Sequence, residues 1–82
     1  MLADDLLAFV NAEISLDPSM PVDLTTDLLL TGLVDSLGVV EIVAWLEARF
    51  DGEIDPADVV LEHFQTVQRM VDYATIRFPG AA

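Results

Sequence analysis

Ser36 is the residue whose type and position most suggest chemistry. It follows Asp35 directly, at the start of a stretch with the apolar spacing of an amphipathic helix. Asp35 is predicted to cap this helix, because an aspartate oxygen at that position can accept an unpaired backbone N–H of the first turn. A capping box on Ser36 would need Glu or Gln three residues later, where the chain has Val39. The Ser36 hydroxyl is therefore left without a structural task, and we expect it to face solvent.

Two kinds of chemistry could use such a hydroxyl. A catalytic serine needs a base to activate it, but the single histidine, His63, stands beside Phe64 at the end of a short predicted helix, where packing suits it better. The chain also lacks the G-x-S-x-G turn of serine hydrolases. The other possibility is covalent modification, since amides at a helix N-terminus stabilise anionic oxygens. Acidic neighbours oppose a doubly charged phosphate more than a singly charged phosphodiester.

The composition limits the class of protein. The 82 residues fit a single domain, 1–82, and charged residues interrupt every apolar run before it reaches the length of a membrane span. The absence of cysteine excludes a disulfide framework, a thiol nucleophile and a zinc knuckle. The first ten residues carry two aspartates and no basic residue, so we expect no secretory signal and a cytoplasmic location.

The net charge indicates the class of partner. Fifteen acidic residues face three arginines and no lysine, which gives a formal charge of −12. Nucleic acid and anionic membranes are poor partners for such a chain, because binding either requires a basic patch. We expect a monomer that meets proteins with basic patches in fast, salt-sensitive encounters. Acidity for solubility alone is the alternative, and it would leave the charges evenly scattered.

Four helices are predicted to position these residues, which makes the fold all-α: a small bundle of three longer helices and a short third one. Apolar residues three and four apart predict the first helix over residues 2–14. Two prolines and a cluster of Ser, Thr and Asp then predict a long connection up to residue 35. We expect three leucines to hold this connection to the core: Leu24, Leu28 and Leu29.

The remaining helices are placed by their capping residues. The second is predicted over residues 36–50, and the short third one over residues 56–62 with Asp55 as its cap. Thr66 is predicted to cap the fourth. From Pro79 onward the chain is expected to fray.

The two faces of the second helix are predicted to have different tasks. At 100° per residue, one arc is apolar and should be buried. It consists of Val39, Ile42, Val43, Leu46 and Phe50. The opposite side forms an apolar strip rimmed by charge, which is typical of an interface. The candidate partner-binding residues there are Leu37, Val40, Glu41, Ala44 and Ala48, with Glu47 at the edge between the faces.

The sequence resembles the acyl carrier proteins. The resemblance rests on the motif DSL at Asp35, Ser36 and Leu37, on VVEIVAWLEARFDGEI behind it and on FQTVQRMVDY near the end, and it covers nearly the whole chain. It implies that Ser36 receives a 4′-phosphopantetheine arm from coenzyme A, beside Asp35 and Leu37. The terminal thiol of such an arm holds an acyl or aminoacyl group as a thioester. An imported thiol would account for the missing cysteine.

The resemblance also implies a non-catalytic carrier that serves enzymes in trans. Its implied partners are a phosphopantetheinyl transferase, an adenylating acyl or aminoacyl ligase or an acyltransferase, and a ketosynthase or condensation enzyme. The second helix would dock on basic patches of these enzymes. Residues 31–50 look closer to dedicated polyketide or nonribosomal carriers than to the housekeeping carrier of fatty acid synthesis. The housekeeping role and a non-covalent acidic helical adaptor remain the alternatives, and the cargo stays open.

Three residues of the second helix invite local interpretation. Gly38 stands where these carriers usually have an acidic residue, and we interpret it as clearing space beside the arm. Trp45 and Arg49 lie four apart, so they are placed to stack on one another. A tryptophan at the edge of the core is the alternative.

In the acidic stretch of residues 51–62, after the second helix, the spacing of the acidic residues is similar to that of the ligands in a calcium-binding loop. Pro56, however, stands where such a loop needs a glycine for its sharp turn, and Asp58 stands where it needs an apolar residue. We therefore predict no metal site there, although loose divalent binding to the acidic surface stays open.

Overall fold

The computed structural model describes residues 1–79, and the regular structure in that range is helical. Helix α1 covers Leu2–Phe9 and continues as a π-helical turn, Val10–Ile14. Helix α2 covers Ser36–Phe50 and is followed by a 3₁₀ turn, Pro56–Asp58. Helix α3 covers Leu61–Phe64, and α4 covers Val67–Arg77. The predicted all-α, four-helix architecture is confirmed. None of these helices is both long and apolar enough to span a bilayer. The fraying expected from Pro79 onward falls almost wholly on residues 80–82, which lie outside the described range.

The first helix has the predicted extent, but its last turn is wider than expected. The Ser15 N–H donates to the Val10 carbonyl at 2.8 Å, five residues back, and so closes the π-helical turn. Within that turn the Asn11 side chain donates to the Val22 carbonyl at 3.1 Å and accepts from its N–H at 2.8 Å. The turn therefore docks the long connection onto the first helix while Ile14 stays buried.

The long connection packs against the core along much of its length. Leu28 is fully buried and Leu24 and Leu29 are half-buried against the core, as predicted. The Leu28 N–H donates to the Gln65 carbonyl at 2.8 Å, and the Gln68 N–H donates to the Leu24 carbonyl at 3.0 Å. The connection is thereby tied to the start of α4. Three further core residues have no periodicity that could have revealed them: Val22, Leu33 and Val34.

The short third helix was predicted wrongly as one element over residues 56–62. Asp55 does cap its beginning, accepting from the Ala57 N–H at 2.9 Å, but the 3₁₀ turn ends at Asp58 and α3 begins only at Leu61. Val59 lies between them with φ −82° and ψ 77°, and Val60 is extended. Branching at Cβ disfavours the helical conformation, and with this non-helical backbone Val59 packs on the core.

Helix α4 agrees with its prediction. The Thr66 hydroxyl accepts from the Arg69 N–H at 3.1 Å, which is the expected cap. The inward residues Val67, Met70 and Ala74 are buried and Val71 is half-buried. His63 has the packing role expected of it: its ring lies against the Tyr73 ring, with centroids 4.8 Å apart.

Candidate functional site

Ser36 is the first residue of α2 and is exposed. Asp35 provides the cap, because its Oδ1 accepts from the Gly38 N–H at 2.9 Å. The Ser36 hydroxyl makes no hydrogen bond to any residue between positions 1 and 79. The arrangement predicted for this helix start is therefore present: one side chain caps the helix and the next offers a free hydroxyl to solvent.

Gly38 does not clear space beside Ser36, so that interpretation was wrong. The residue is buried, and a Cβ built on it would lie 2.8 Å from Val34 Cγ1 and 2.9 Å from Ile14 Cγ2. Both distances are shorter than a normal contact, so the glycine allows the first turn of α2 to approach the connection and the π-helical turn. This close packing fixes the end of α2 that carries Ser36.

The apolar strip on α2 is on the surface, as predicted. Leu37 is 66% exposed and Val40 is 63% exposed, although both are large apolar residues. Glu41, Ala44 and Ala48 are exposed beside them. On the inward side Ile42 and Leu46 are buried, and the other members of the predicted arc are half-buried against the core.

Glu47 has a structural contact that the sequence did not indicate. Its Oε2 accepts from the backbone N–H of Ile54 at 2.8 Å, and Ile54 is buried. The carboxylate thus ties the last turns of α2 to the segment that follows. Because the donor is a backbone amide, no side-chain pattern could have revealed this contact. Glu47 therefore differs from Glu41, which is exposed on the strip.

An apolar groove of about 530 Å³ opens beside Ser36. Helix α2 and the connection contribute to it, and so do residues after the 3₁₀ turn. It is lined by Leu29, Val34, Asp35, Ser36, Val39, Val40, Val59, Val60, Leu61 and Phe64. Eight of these ten residues are apolar, so the groove suits a flexible, largely uncharged chain attached at the hydroxyl. The residues present therefore fit a phosphopantetheine arm, with the ester at the polar end.

The three arginines are all engaged in contacts within the protein. Arg49 Nη1 lies 2.7 Å from Asp5 Oδ2, and this hydrogen bond lowers the pKa of the Asp5 carboxyl. Arg69 donates to the Glu62 carbonyl at 3.3 Å and Arg77 to the Glu53 carbonyl at 2.7 Å. Among these three contacts, only that of Arg49 pairs an arginine with a carboxylate, and that carboxylate is on α1.

Trp45 combines the two interpretations offered for it. Its ring stacks on Phe9 of α1 with centroids 5.5 Å apart, which makes it an edge of the core. The Arg49 guanidinium carbon also lies 5.6 Å from the ring centroid. One indole thus joins α1 to α2 and faces a cation.

A family of known proteins matches the chain. The sequence model of a family described as "phosphopantetheine attachment site" matches residues 4–74, a range that contains Ser36, the strip on α2 and the whole groove. A search of curated proteins and a search of solved structures gave no match.

Proposed function

Because the chain belongs to the phosphopantetheine attachment site family, with 4′-phosphopantetheine as its cofactor, we propose that Ser36 carries the arm and that the protein is an acyl carrier. One observation supports this assignment above the others: Ser36 exposes an unbonded hydroxyl at the start of α2 while Asp35 makes the cap. When attached, the arm supplies a thiol that holds an acyl or aminoacyl group as a thioester.

The residues around Ser36 suit the formation and retention of a phosphodiester. In the active site of a transferase the Ser36 oxygen would lose its proton and bond to the pyrophosphate phosphorus of coenzyme A that bears the pantetheine. The bond from that phosphorus to the bridging oxygen would break, and adenosine 3′,5′-bisphosphate would leave. The N-terminus of α2 favours the single negative charge that remains. Leu37 and Val40 offer apolar surface next to the hydroxyl. The chain itself supplies no catalytic group in this proposal, and loading and removal of cargo belong to its partners.

The partners implied by the family are a phosphopantetheinyl transferase and biosynthetic enzymes. We assign to them an adenylating acyl or aminoacyl ligase or an acyltransferase for loading, and a ketosynthase or condensation enzyme for removal. The docking surface is the α2 strip of Leu37, Val40, Glu41, Ala44 and Ala48. Exposed apolar residues give contact area, while the unneutralised carboxylates attract basic patches. Glu47 contributes with the oxygen that Ile54 does not occupy.

The pathway we favour is polyketide or nonribosomal secondary metabolism. The likeness of residues 31–50 to dedicated carriers supports it, and housekeeping fatty acid synthesis is the alternative. We further propose that residues 1–82 act as a single domain, as a monomer and in the cytoplasm. A non-covalent adaptor would use the same acidic strip but would leave the exposed Ser36 hydroxyl without a role.

Intact mass measurement tests the attachment site. After incubation with coenzyme A and a broadly specific phosphopantetheinyl transferase, the wild type should gain the mass of one phosphopantetheine, and Ser36→Ala should gain none. Ser19→Ala is the matched control, because Ser19 is also exposed but bonds to Asp17, and it should be modified fully. Modification of Ser36→Ala would overturn the assignment. Identification of the thioester on protein from its native host would establish the cargo.

A further inference from the structure

One wall of the groove beside Ser36 is not supplied by α2. It consists of Val59, Val60 and Leu61, and is called here the 59–61 wall. Val60 and Leu61 are nearly half exposed. The wall bridges the 3₁₀ turn and α3, and its two valines have left the helical conformation. The width of the groove therefore depends on what holds this short non-helical segment in place.

The backbone hydrogen bonds of the wall are local. The Val59 N–H donates to the Pro56 carbonyl at 3.1 Å, and the Val60 N–H donates to the Asp58 carbonyl at 2.9 Å. Both bonds join the wall to the neighbouring 3₁₀ turn and cannot fix its distance from α2. A link to α4 follows the wall, where Arg69 donates to the Glu62 carbonyl at 3.3 Å, but it is long and exposed.

Tyr73 of α4 contacts the chain on both sides of the wall. Its hydroxyl donates to Asp58 Oδ2 at 2.8 Å, immediately before Val59. Its ring centroid lies 4.8 Å from that of His63 and 6.0 Å from that of Phe64, two and three residues after the end of the wall. Tyr73 is only 8% exposed, so it has little freedom of its own. Burial, as the larger cause, and the hydrogen bond to Asp58 together raise the pKa of Tyr73 to about 12. The hydroxyl therefore keeps its proton at neutral pH.

We propose that Tyr73 clamps the 59–61 wall, and thereby sets how large an apolar group attached at Ser36 can lie in the groove. Tyr73 is in this sense a positioning residue: it does not line the groove, but it holds both flanks of the segment that does. The part of this proposal that concerns the size of the attached group rests on the proposed function of Ser36. The part that concerns the clamp does not depend on that function. Without the hydroxyl, Asp58 would lose its hydrogen bond to α4, and the wall and the 3₁₀ turn would move away from α2 more readily.

Amide hydrogen exchange on the unmodified protein tests the clamp. Tyr73→Phe removes the hydroxyl and keeps the ring, so the amides of Val60, His63 and Phe64 should exchange faster relative to that of Ile42 in α2. Loss of one hydrogen bond corresponds to about a fivefold increase in local opening. Thr75→Val is the matched control, because the Thr75 hydroxyl on the same helix bonds only to the Val71 carbonyl among the described residues. Acceleration of all amides by the same factor would overturn the proposal, because it would show general destabilisation.

Substitution of the acceptor gives an independent check. Asp58→Asn keeps an oxygen that can accept from Tyr73, and should leave exchange in the wall close to that of the wild type. Asp58→Ala should accelerate it as Tyr73→Phe does, and the double variant should be no faster than either single one. Additive effects of the two substitutions would contradict a clamp made by this pair.

The size of the group is tested on loaded protein. A phosphopantetheinyl transferase attaches acetyl-, hexanoyl- or decanoyl-phosphopantetheine to Ser36 from the corresponding acyl coenzyme A, with release of adenosine 3′,5′-bisphosphate. The rate of hydroxylamine attack on each thioester is then measured. Tyr73→Phe should slow attack on the decanoyl form by roughly twofold relative to the acetyl form, because the loosened wall admits the longer chain. If the ratio of the decanoyl rate to the acetyl rate were the same in Tyr73→Phe and in the wild type, the proposed effect of Tyr73 on the size of the group would be overturned. Attachment of the arm is a separate readout: its failure in the wild type would remove the proposed function and leave the exchange result standing.

Discussion

Gly38 is the residue where local preference and packing oppose each other most clearly. In a helix interior glycine is less favourable than alanine by about 1 kcal/mol. The space for a Cβ, however, is already taken by methyl groups of Val34 and Ile14 at 2.8 and 2.9 Å. Since Ile14 ends the π-helical turn, the glycine and the wide turn together determine how closely the start of α2 approaches α1.

Gly38→Ala should therefore destabilise the protein although it improves helix propensity. We expect the free energy of unfolding to fall by about 1–2 kcal/mol, because overpacking of this kind outweighs the propensity gain. Urea unfolding followed by circular dichroism measures it. Ala48→Gly, on the exposed face of the same helix, reports propensity alone and should cost about 1 kcal/mol. A Gly38→Ala protein more stable than the wild type would show that the neighbouring methyl groups move aside easily.

At the scale of elements, α2 has one face in the core and one in solvent, and its two glutamates have different surroundings. Glu41 is exposed in the middle of the strip, whereas Glu47 accepts from the Ile54 N–H and so has a structural task. A charge reversal at Glu47 would combine a change of docking with loss of this hydrogen bond. Glu41 is therefore the better residue for a test of docking.

Glu41→Lys should slow loading by partner enzymes and reduce its dependence on salt. Replacing attraction to a basic patch by repulsion lowers kcat/KM by about fivefold or more at low ionic strength, and screening removes the difference as salt is raised. Glu13→Lys makes the same change of net charge at an exposed residue of the first helix, and should have a smaller effect. Equal effects of the two substitutions would mean that only net charge matters.

The elements that sequence predicts well are those with local signals. The bounds of α2 and α4 follow from a capping side chain and a periodic apolar face, and both are found within a few neighbouring residues.

The features that the sequence does not reveal depend on packing between distant residues. The break at Val59 and Val60 was missed because core packing overrides the helix start at Pro56. The groove was also missed, since its lining comes from residues as far apart as Leu29 and Phe64. Contacts such as Tyr73 with Asp58 join residues 15 apart and have no sequence signature.

At the scale of the whole molecule, the acidic side chains do more than repel one another. Several accept hydrogen bonds that hold the long connection. Asp23 accepts from the Thr25 backbone and the Thr26 hydroxyl, and Asp27 accepts from the Gln65 side chain and the Leu30 N–H. These bonds favour the ionised carboxylates and lower the pKa of both residues.

The lowered pKa values predict a loss of stability in acid. Carboxyls with a depressed pKa in the folded state contribute stability that is complete above the unfolded pKa, and this contribution disappears as the pH falls through the folded pKa. We therefore expect the free energy of unfolding to decrease from about pH 4 downward. Asp27→Asn removes one titrating group and keeps an acceptor, so its decrease over the same range should be shallower. The free energy of unfolding of both proteins is measured by urea titration at each pH. Equal slopes of this free energy against pH in the two proteins would exclude a contribution from Asp27.

The stacking of Trp45 on Phe9 gives the molecule an intrinsic optical reporter. Trp45 is the single tryptophan, and its indole lies where α1 meets α2, with Arg49 at 5.6 Å. Its fluorescence therefore depends on whether those two helices stay packed. Movement confined to the 59–61 wall leaves that emission unchanged, whereas separation of the first two helices shifts it. A single spectrum can thus distinguish a local opening beside Ser36 from loosening of the bundle.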